Sequence, residues 1–371
     1  MGVEEGTGLQ PPPLPSFRAL YLMTLLLAPL SFLWWLVAVL RGKLFDWGLL
    51  PSRCFDIPVI CVGNLAVGGT GKTPHVEYLL RLLHAHGYRV AMLSRGYGRK
   101  SKGYVLAGSG HTASEIGDEP YQMLHNCPFA TVAVCERRVE GISRLLGLPH
   151  PPDVIVLDDA YQHRYVRAGY NILLTDAHCL YTHDHLLPWG RLRESAGAAR
   201  RAQAVIVTKC GPGERPPLPV SNGQRLFYSH IIYGVPYGLQ SGMPEPSFSG
   251  RQVLVVAGIA NPAPLAAHLR SSGAAGVRLR EFRDHHVFTA ADAQYINRDF
   301  RALPAGAVVC TTQKDAPRLQ AIWEFLSKGV KERLYVLPIE VEVNTDRAKQ
   351  VSFNQTILSY VNSHQRNSCM D

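Results

Sequence analysis

A glycine-rich segment ending in lysine and threonine, GNLAVGGTGKTP at 63–74, has the residues needed to bind a polyphosphate. It follows the apolar run 58–62 and precedes apolar residues at helical spacing, so it should connect a buried strand to a helix. In that setting backbone N–H groups and the helix N-terminus bind phosphate, Lys72 neutralises its charge and the Thr73 hydroxyl holds Mg²⁺. The residues expected to contact phosphate are Gly68, Gly69, Thr70, Gly71, Lys72 and Thr73.

Two aspartates after a second apolar run provide the carboxylates that such a loop requires. Asp158 and Asp159 directly follow the four β-forming residues 154–157. P-loop enzymes place an acid at this position beside Mg²⁺, so both aspartates are candidate metal ligands. Strands alternate with helical stretches through this part of the chain. The pattern predicts an α/β fold, a P-loop-type doubly wound α/β/α domain, followed by a second smaller α/β domain.

Several arginines lie in turns after strands, where they could bind an anionic substrate. Arg95 and Arg99 belong to SRGYGR at 94–99, and Arg138 ends another basic turn. Guanidinium groups beside glycines can reach phosphate with little steric hindrance. Such turns are also often solvated loops, and Asp118, which precedes a predicted helix, could simply be a helix cap. The residues alone leave these alternatives open.

Two other kinds of site are disfavoured by spacing. His178, His183 and His185 lie near a cysteine, but their separation fits no standard zinc template, so a polar loop is the preferred interpretation. A guanine-binding site would need an acidic residue two positions after the lysine of a Thr-Lys pair. Lys209 is instead followed by cysteine and glycine, so guanine specificity is unsupported.

Composition and length predict four segments in this chain of 371 residues. Residues 1–16 are polar and proline-rich and should form a disordered tail. Residues 17–50 contain an uncharged stretch, 19–40, that is long enough to anchor the chain in a membrane, although Pro29 interrupts it. The P-loop kinase domain should cover 51–222 and the smaller domain 223–371, separated by a glycine- and proline-rich linker.

Charge and cysteine usage suggest an intracellular protein with an anionic partner. The formal net charge is +9, which suits a nucleotide, a nucleic acid or an acidic membrane surface, and does not choose among them. The eight cysteines form no Cys-x-x-Cys pair. They therefore fit reduced thiols in the cytosol.

Taken together, the motifs resemble tetraacyldisaccharide 4′-kinase, the lipid A 4′-kinase of Gram-negative bacteria. The resemblance implies transfer of the γ-phosphoryl group of ATP, with Mg²⁺, to the 4′-hydroxyl of a tetraacyl glucosamine disaccharide 1-phosphate. It also implies catalytic domains on the cytoplasmic face of the inner membrane, a lipid partner, and no nucleic acid partner. The matching motifs, in chain order, are GNL and GGTGKTP (63–74), SRGYGR (94–99), GDEP (117–120), DDAYQH (158–163), LPWGRLRE (187–194), DHH (284–286) and KD (314–315).

The resemblance also assigns roles to individual residues. Asp118 is implied as the catalytic base, paired with His285 from the smaller domain, and Arg193 and Glu194 are implied at the metal–phosphate cluster. Ala160 and Tyr161 replace the glycine and phenylalanine usual in the family. A membrane-tethered P-loop ATPase that turns over without phosphorylating a sugar is the alternative function, and dependence of ATP consumption on the lipid disaccharide distinguishes the two.

Overall fold

A computed structural model describes residues 17–245, 247–284, 286–344 and 352–368. The predicted tail 1–16 and His285 lie outside the described residues. Apart from short 3₁₀ turns, the helices are α1 (Phe17–Asp46), α2 (Lys72–Ala85), α3 (Ala113–Ile116), α4 (Asp118–Asn126), α5 (Arg138–Leu146), α6 (Ala263–Ser271), α7 (Ala290–Arg301), α8 (Ala316–Gln320), α9 (Lys328–Glu332) and α10 (Phe353–Ser368).

The strands form two separate sheets, one of nine strands and one of five among the described residues. In chain order they are β1 (Val59–Asn64), β2 (Val90–Ser94), β3 (Val105–Leu106), β4 (Thr131–Val134), β5 (Val154–Asp158), β6 (Tyr170–Asp176), β7 (Ala204–Thr208), β8 (Arg225–Tyr233), β9 (Tyr237–Gly238), β10 (Gln252–Ala257), β11 (Gly276–Glu281), β12 (Val308–Thr312), β13 (Leu334–Leu337) and β14 (Ile339–Val343).

The larger sheet has the order β14-β8-β7-β6-β1-β5-β2-β4-β3. Its central strands are parallel, and β1 lies between β5 and β6. Val62 of β1 is in register with Asp158 of β5, so the glycine loop after β1 and the aspartates after β5 emerge side by side. Parallel strands bring their carboxyl ends to one edge, and that edge is where α/β proteins bind ligands.

Helices cover both faces of this sheet, as a doubly wound fold requires. On one face, Val76 and Leu80 of α2 pack with Phe353 and Ile357 of α10 against the strands. On the other, Ile142 and the rest of the apolar side of α5 pack against β2 and β4. Strands buried on both sides explain the nearly continuous apolar runs in the sequence. The predicted α/β class is confirmed.

The smaller sheet has the order β11-β10-β12-β13-β9 and is parallel except for β9. α7 and α8 supply the core on one of its faces, and α6 supplies the other. The polar residues Arg283, Asp284 and His286 come after β11 and residues 313–315 come after β12, so they share the carboxyl edge of this second sheet.

The predicted division at residue 223 needs correction. β8 and β14, which the prediction placed in the smaller domain, pair with each other and complete the larger sheet. α10 also packs on the larger domain, through Phe353, Ile357 and Val361. The smaller domain is therefore inserted between β8 and β14. Sequence composition shows where strands lie but not which sheet accepts them, since pairing depends on hydrogen bonds formed over long separations.

α1 is a single helix that contains Pro29 and lies against the larger domain along one side. Its part Leu27–Asp46 is long and apolar enough to cross a membrane by length and composition. Ser31 and Phe45 are buried on the attached side, while Phe32, Leu36 and the other apolar residues opposite are exposed. The helix therefore has a docked face and an open apolar face.

Candidate active site

The glycine loop after β1 has the backbone of a phosphate-binding loop. Gly68 (φ 107°) and Gly71 (φ 81°) adopt left-handed conformations that other residues avoid, and Gly71 precedes the first residue of α2. Two residues at strand ends hold the loop: Asn64 of β1 donates a hydrogen bond to the Thr70 hydroxyl at 2.9 Å, and the Thr208 hydroxyl of β7 donates to the Thr70 carbonyl at 2.9 Å. The first N–H groups of α2 have no partner inside the helix and point outward.

Asp159 draws two cations to the end of this loop. The Lys72 ammonium lies 3.7 Å from Asp159 Oδ1, and one guanidinium nitrogen of Arg193 lies 3.2 Å from each carboxylate oxygen. Asp159 has φ 45°, a conformation that a residue other than glycine adopts at a cost. That geometry turns its carboxylate out of the sheet edge and toward the loop.

Asp158 is almost completely buried beside it. Ser94 donates a long hydrogen bond of 3.4 Å to its Oδ2, while its Oδ1 is buried with no hydrogen-bond partner among the described residues. Burial, strengthened by the nearby carboxylates of Glu119 and Asp159, raises the pKa of Asp158 to about 7. A buried carboxylate with an unused oxygen is suited to a cation.

These oxygens fit the Mg²⁺ that the sequence predicts. Mg²⁺ prefers hard oxygen ligands and is commonly held by one or two carboxylates together with phosphate oxygens and water. Thr73 in the first turn of α2 would supply the hydroxyl, and Asp158 and Asp159 at the end of β5 would supply the carboxylates. The donor set is that of a magnesium site rather than a zinc site.

The segment 186–193, which we call the strap, lies along the edge of the phosphate loop. Val67 donates to the Arg191 carbonyl at 2.8 Å, Arg193 donates to the Leu65 carbonyl at 2.7 Å, and Ala66 pairs with Leu192 as an isolated bridge. Ala66 has no left-handed φ. This pairing explains why alanine is accepted where phosphate loops usually have glycine.

Glu194 has a different neighbour from the one expected. Its Oε2 accepts a hydrogen bond from Arg201 at 2.6 Å, and the same guanidinium lies over the Tyr161 ring. The structure therefore brings Arg193 to Asp159 but engages Glu194 in a separate ion pair. Glu194 is next to Arg193 in the sequence, but that closeness does not fix the direction of its side chain.

Asp118 begins α4 and contacts the smaller domain. Its Oδ2 pairs with the Arg318 guanidinium, which also donates to the fully buried Asp315 at 3.1 Å. Asp315 in turn accepts from the Gly258 N–H at 2.9 Å and from the Thr312 hydroxyl at 2.8 Å. The predicted base is thus held by an arginine of α8, in the smaller domain.

The three arginines predicted to bind substrate have different surroundings. Arg95 is exposed. The Arg99 side chain is 2% exposed and donates to Glu136 and to the Gly103 carbonyl, both at 2.6 Å. Arg138 is buried and donates to the Cys135 carbonyl at 2.9 Å, and burial lowers the pKa of its guanidinium. Arg99 is therefore part of the loop structure, and only Arg95 is open to solvent.

The histidines between β6 and β7 make contacts of other kinds. His178 Nδ1 lies 3.1 Å from Asp176 Oδ1, and His185 stacks on the Trp189 ring at 4.4 Å. Within the described ranges, no group of three His, Cys, Asp or Glu side chains is placed to hold a metal ion.

Sequence reasoning missed three residues near the site. Arg318 follows Asp315 by three positions on a helix, a spacing that puts both on one face. Gln162 donates to the Asn64 carbonyl at 2.8 Å and accepts a 3.4 Å hydrogen bond from Arg193. Burial and the charges of Arg138, Arg41 and Arg95 lower the pKa of His163 to about 4. One of these charges, Arg41, lies on α1, and no sequence signal connects residue 41 to residue 163.

A doubly wound sheet with a glycine loop, a lysine, an arginine and two carboxylates at one edge defines an enzyme of phosphoryl transfer. Known proteins agree. The family described as tetraacyldisaccharide-1-P 4′-kinase matches residues 23–358. The chain is 45% identical over 364 residues to the tetraacyldisaccharide 4′-kinase of Bacteroides fragilis strain YCH46, covering 93% of this chain and 95% of the relative.

A second relative, the tetraacyldisaccharide 4′-kinase of Porphyromonas gingivalis strain W83, is 43% identical over 337 residues, with 87% of this chain and 94% of the relative covered. The crystal structure of LpxK from Aquifex aeolicus in complex with ATP superposes with a TM-score of 0.71 at 29% identity, covering 92% of this chain and 99% of that one. The chain belongs to the tetraacyldisaccharide 4′-kinase family.

Proposed function

We infer that this chain transfers the γ-phosphoryl group of ATP to the 4′-hydroxyl of a tetraacyl glucosamine disaccharide 1-phosphate. The observation that carries the assignment is the convergence of Lys72 and Arg193 on Asp159, beside buried Asp158, in a chain that matches this family over 23–358. The names of the relatives supply the acceptor. The geometry supports phosphoryl transfer as the reaction.

The phosphate loop binds the triphosphate through its backbone. N–H groups from Gly68 to Thr73 surround the β- and γ-phosphates, and the start of α2 adds the positive end of the helix dipole. Lys72 and Arg193 already lie within 4 Å of one carboxylate, so both can stabilise negative charge on the transferring group without large movement.

Thr73, Asp158 and Asp159 would hold Mg²⁺ at this edge. When bound, Mg²⁺ neutralises charge on the β- and γ-phosphate oxygens and fixes their orientation. The unpaired Oδ1 of Asp158 supports this role. Glu194 would join these ligands only by leaving Arg201.

Asp118 is proposed as the base that accepts the proton of the 4′-hydroxyl. The ion pair with Arg318 holds the Asp118 carboxylate in place at the start of α4, where it would meet the hydroxyl of a bound acceptor. His285 is proposed to orient Asp118 as well, and it lies outside the described residues. The two domains would therefore meet at the base.

The acceptor phosphate is proposed to bind where cations gather behind the metal site. Burial and then the charges of Arg138, Arg41 and Arg95 lower the pKa of His163 to about 4, so three guanidinium groups lie within electrostatic range of one imidazole. Arg95 is exposed and can contact the phosphate directly. Arg138 is buried and contributes through its charge. Arg99, which its basic glycine turn also suggested for this role, is engaged with Glu136 and is left out.

We also propose that the chain binds the cytoplasmic face of the inner membrane through α1. Its open face carries exposed apolar residues, among them Phe32 and Leu40. An acceptor with four acyl chains resides in a lipid phase, because each buried CH₂ contributes about 0.8 kcal/mol. An enzyme acting on it gains from binding the same surface.

The test follows phosphate from labelled ATP into the lipid disaccharide 1-phosphate. We expect labelled lipid, and ATP consumption that depends on the acceptor. Lys72→Ala should lower the turnover number by on the order of 10³-fold with an unchanged circular dichroism spectrum, because transition-state charge stabilisation is lost while the fold remains. ATP consumption that is independent of the disaccharide would instead support a membrane-tethered ATPase.

A further inference from the structure

The strap joins the membrane helix to the phosphate loop. The Ser31 hydroxyl of α1 donates to the Leu186 carbonyl at 3.2 Å and accepts from the main-chain N–H of Trp189 at 3.1 Å. The Trp34 indole donates to the Arg193 carbonyl at 3.0 Å. The opposite side of the strap pairs with 65–67, at the start of the phosphate loop. One short segment therefore contacts both the helix and the loop.

Trp189 stands at the outer end of the strap. Its ring is 43% exposed and stacks on His185 with an interplanar angle of 5°. Trp34 and Trp35 on α1 are exposed to a similar extent, at 44% and 38%. Large aromatic rings with one polar N–H are enriched at the boundary between lipid and water. Trp34 and Trp189 therefore both lie where α1 meets the strap, and Trp35 follows Trp34 on the helix and stacks on Phe32.

The docking of α1 limits how far it can enter a bilayer. Its attached side runs from Ser31 to Phe45 through Trp34, Arg41 and Gly42, which all contact the larger domain. The helix begins at Phe17, so the part before Ser31 has 14 residues and is about 21 Å long. A hydrocarbon core is about 30 Å thick. With its second half docked, the described part of α1 before Ser31 is long enough for one leaflet and too short for both.

We propose that Trp189 and the open face of α1 form one membrane-contacting surface, and that the strap fixes the distance between the lipid surface and the phosphate loop. The partner is a lipid bilayer, and this choice rests on the proposed function, because the acceptor is an acylated lipid. The open face of α1 continues into exposed Trp47 and Leu49 past its end. Lys43 near that end is exposed and suits anionic headgroups.

The consequence is geometric. A helix that spans or floats freely would leave the phosphate loop at a variable height above the lipid. The strap instead bonds to Leu65 through the main chain of Arg193, and its main-chain carbonyls accept hydrogen bonds from the Ser31 and Trp34 side chains. An acceptor hydroxyl just outside the headgroup layer would then meet the loop at a set depth, which reduces the orientational entropy lost on reaction.

The first experiment measures the depth of single tryptophans. The chain has five, and Trp323 packs against the core of the smaller domain, which makes it a matched control. Full-length variants that retain only Trp189, only Trp35 or only Trp323, with phenylalanine at the other positions, are added to vesicles of phosphatidylcholine and phosphatidylglycerol with brominated acyl chains. We expect quenching of Trp189 and Trp35 by about half or more, and no quenching of Trp323.

Quenching of Trp35 without Trp189 would overturn the proposal, because the strap would then lie outside the lipid. Absence of quenching for both, with self-association in detergent-free solution, would show that a second copy of the chain covers this face. The measurement needs no turnover, so either failure leaves the kinase assignment untouched.

A second measurement guards against misfolding of the multiple variants. Trp189→Ser in the otherwise unchanged chain should lower the vesicle partition coefficient by roughly tenfold, the effect of losing on the order of 60 Å² of apolar surface from the lipid. Phe325→Ser, which alters a 55% exposed aromatic ring on the smaller domain, should leave it unchanged. Equal partition of Trp189→Ser and the parent protein would refute the contact.

Discussion

Both domains place an aspartate after a parallel strand, and the two carboxylates have opposite surroundings. Asp159 follows β5, is one-third exposed, and is approached by Lys72 and Arg193. Asp315 follows β12, is completely buried, and is satisfied by the Gly258 N–H, the Thr312 hydroxyl and Arg318. An acid at a strand end is therefore not evidence of catalysis by itself. Exposure and the partners of the carboxylate separate a reactive group from a structural one.

The difference has a structural cause. In the larger domain a left-handed backbone at Asp159 turns the side chain outward, and the glycine loop next to it leaves room for a ligand. In the smaller domain α8 begins immediately after Asp315, and that carboxylate bonds to backbone and side-chain groups around it. The smaller domain contacts Asp118 of the larger one through Arg318.

Exchanging each aspartate for asparagine gives the largest expected contrast. Asp159→Asn should lower kcat by on the order of 10³-fold with a melting temperature within a few degrees of the parent, because it removes charge at an exposed site. Asp315→Asn should instead destabilise the protein by about 2–4 kcal/mol, because Arg318 loses a buried partner. Activity assays and thermal unfolding of both variants distinguish these outcomes. A stable Asp315→Asn protein that lacked activity would reverse the comparison.

Replacement of Arg318 tests the link between the domains, with an intermediate effect. Arg318→Met keeps the length of the side chain and removes the contact with Asp118, so kcat should fall by roughly 10- to 100-fold while the KM for ATP stays near its parent value. Arg318→Lys should restore part of the rate, since a cation remains. Lys328→Met, which breaks an exposed surface pair with Glu332, is the control and should change neither. Equal losses of kcat in the Arg318→Met and Arg318→Lys variants would indicate that Arg318 acts through packing rather than through its charge.

The smallest expected effect is on thermal stability at acidic pH, and it concerns His163. His163 lies among three arginines, whereas His286 in the smaller domain lies 3.0 Å from the Asp292 carboxylate. The folded pKa of His163, about 4, is below the ordinary 6.5, so the unfolded chain binds the proton more readily between these values. The stability from neutral His163 is complete above pH 6.5 and is lost as the pH falls toward 4.

His163→Asn removes this titration. Its melting temperature should therefore decrease by a few degrees less than that of the parent protein between pH 7 and pH 5. Scanning calorimetry across that range measures the difference. Parallel decreases in the two proteins would mean that His163 is not held in its neutral form by the fold.

Several features were accessible from sequence because they depend on local chemistry. Glycine, lysine and threonine at fixed spacing after an apolar run located the phosphate loop, and the run before Asp158 and Asp159 located their strand. The alternation of strands and helices gave the α/β class. The motif order gave the family, and the comparisons confirm it.

The tertiary structure decided which groups meet. Three features join residues far apart in the chain: β8 and β14 belong to the larger sheet, Asp118 pairs with Arg318, and α1 is attached to the strap. Two other side chains, Arg99 and Glu194, turn toward ion-pair partners away from the site. Local sequence encodes backbone propensity and side-chain chemistry. The direction of a side chain and the identity of its partner are set by packing across the fold, where each hydrogen bond depends on the position of every element that supports it.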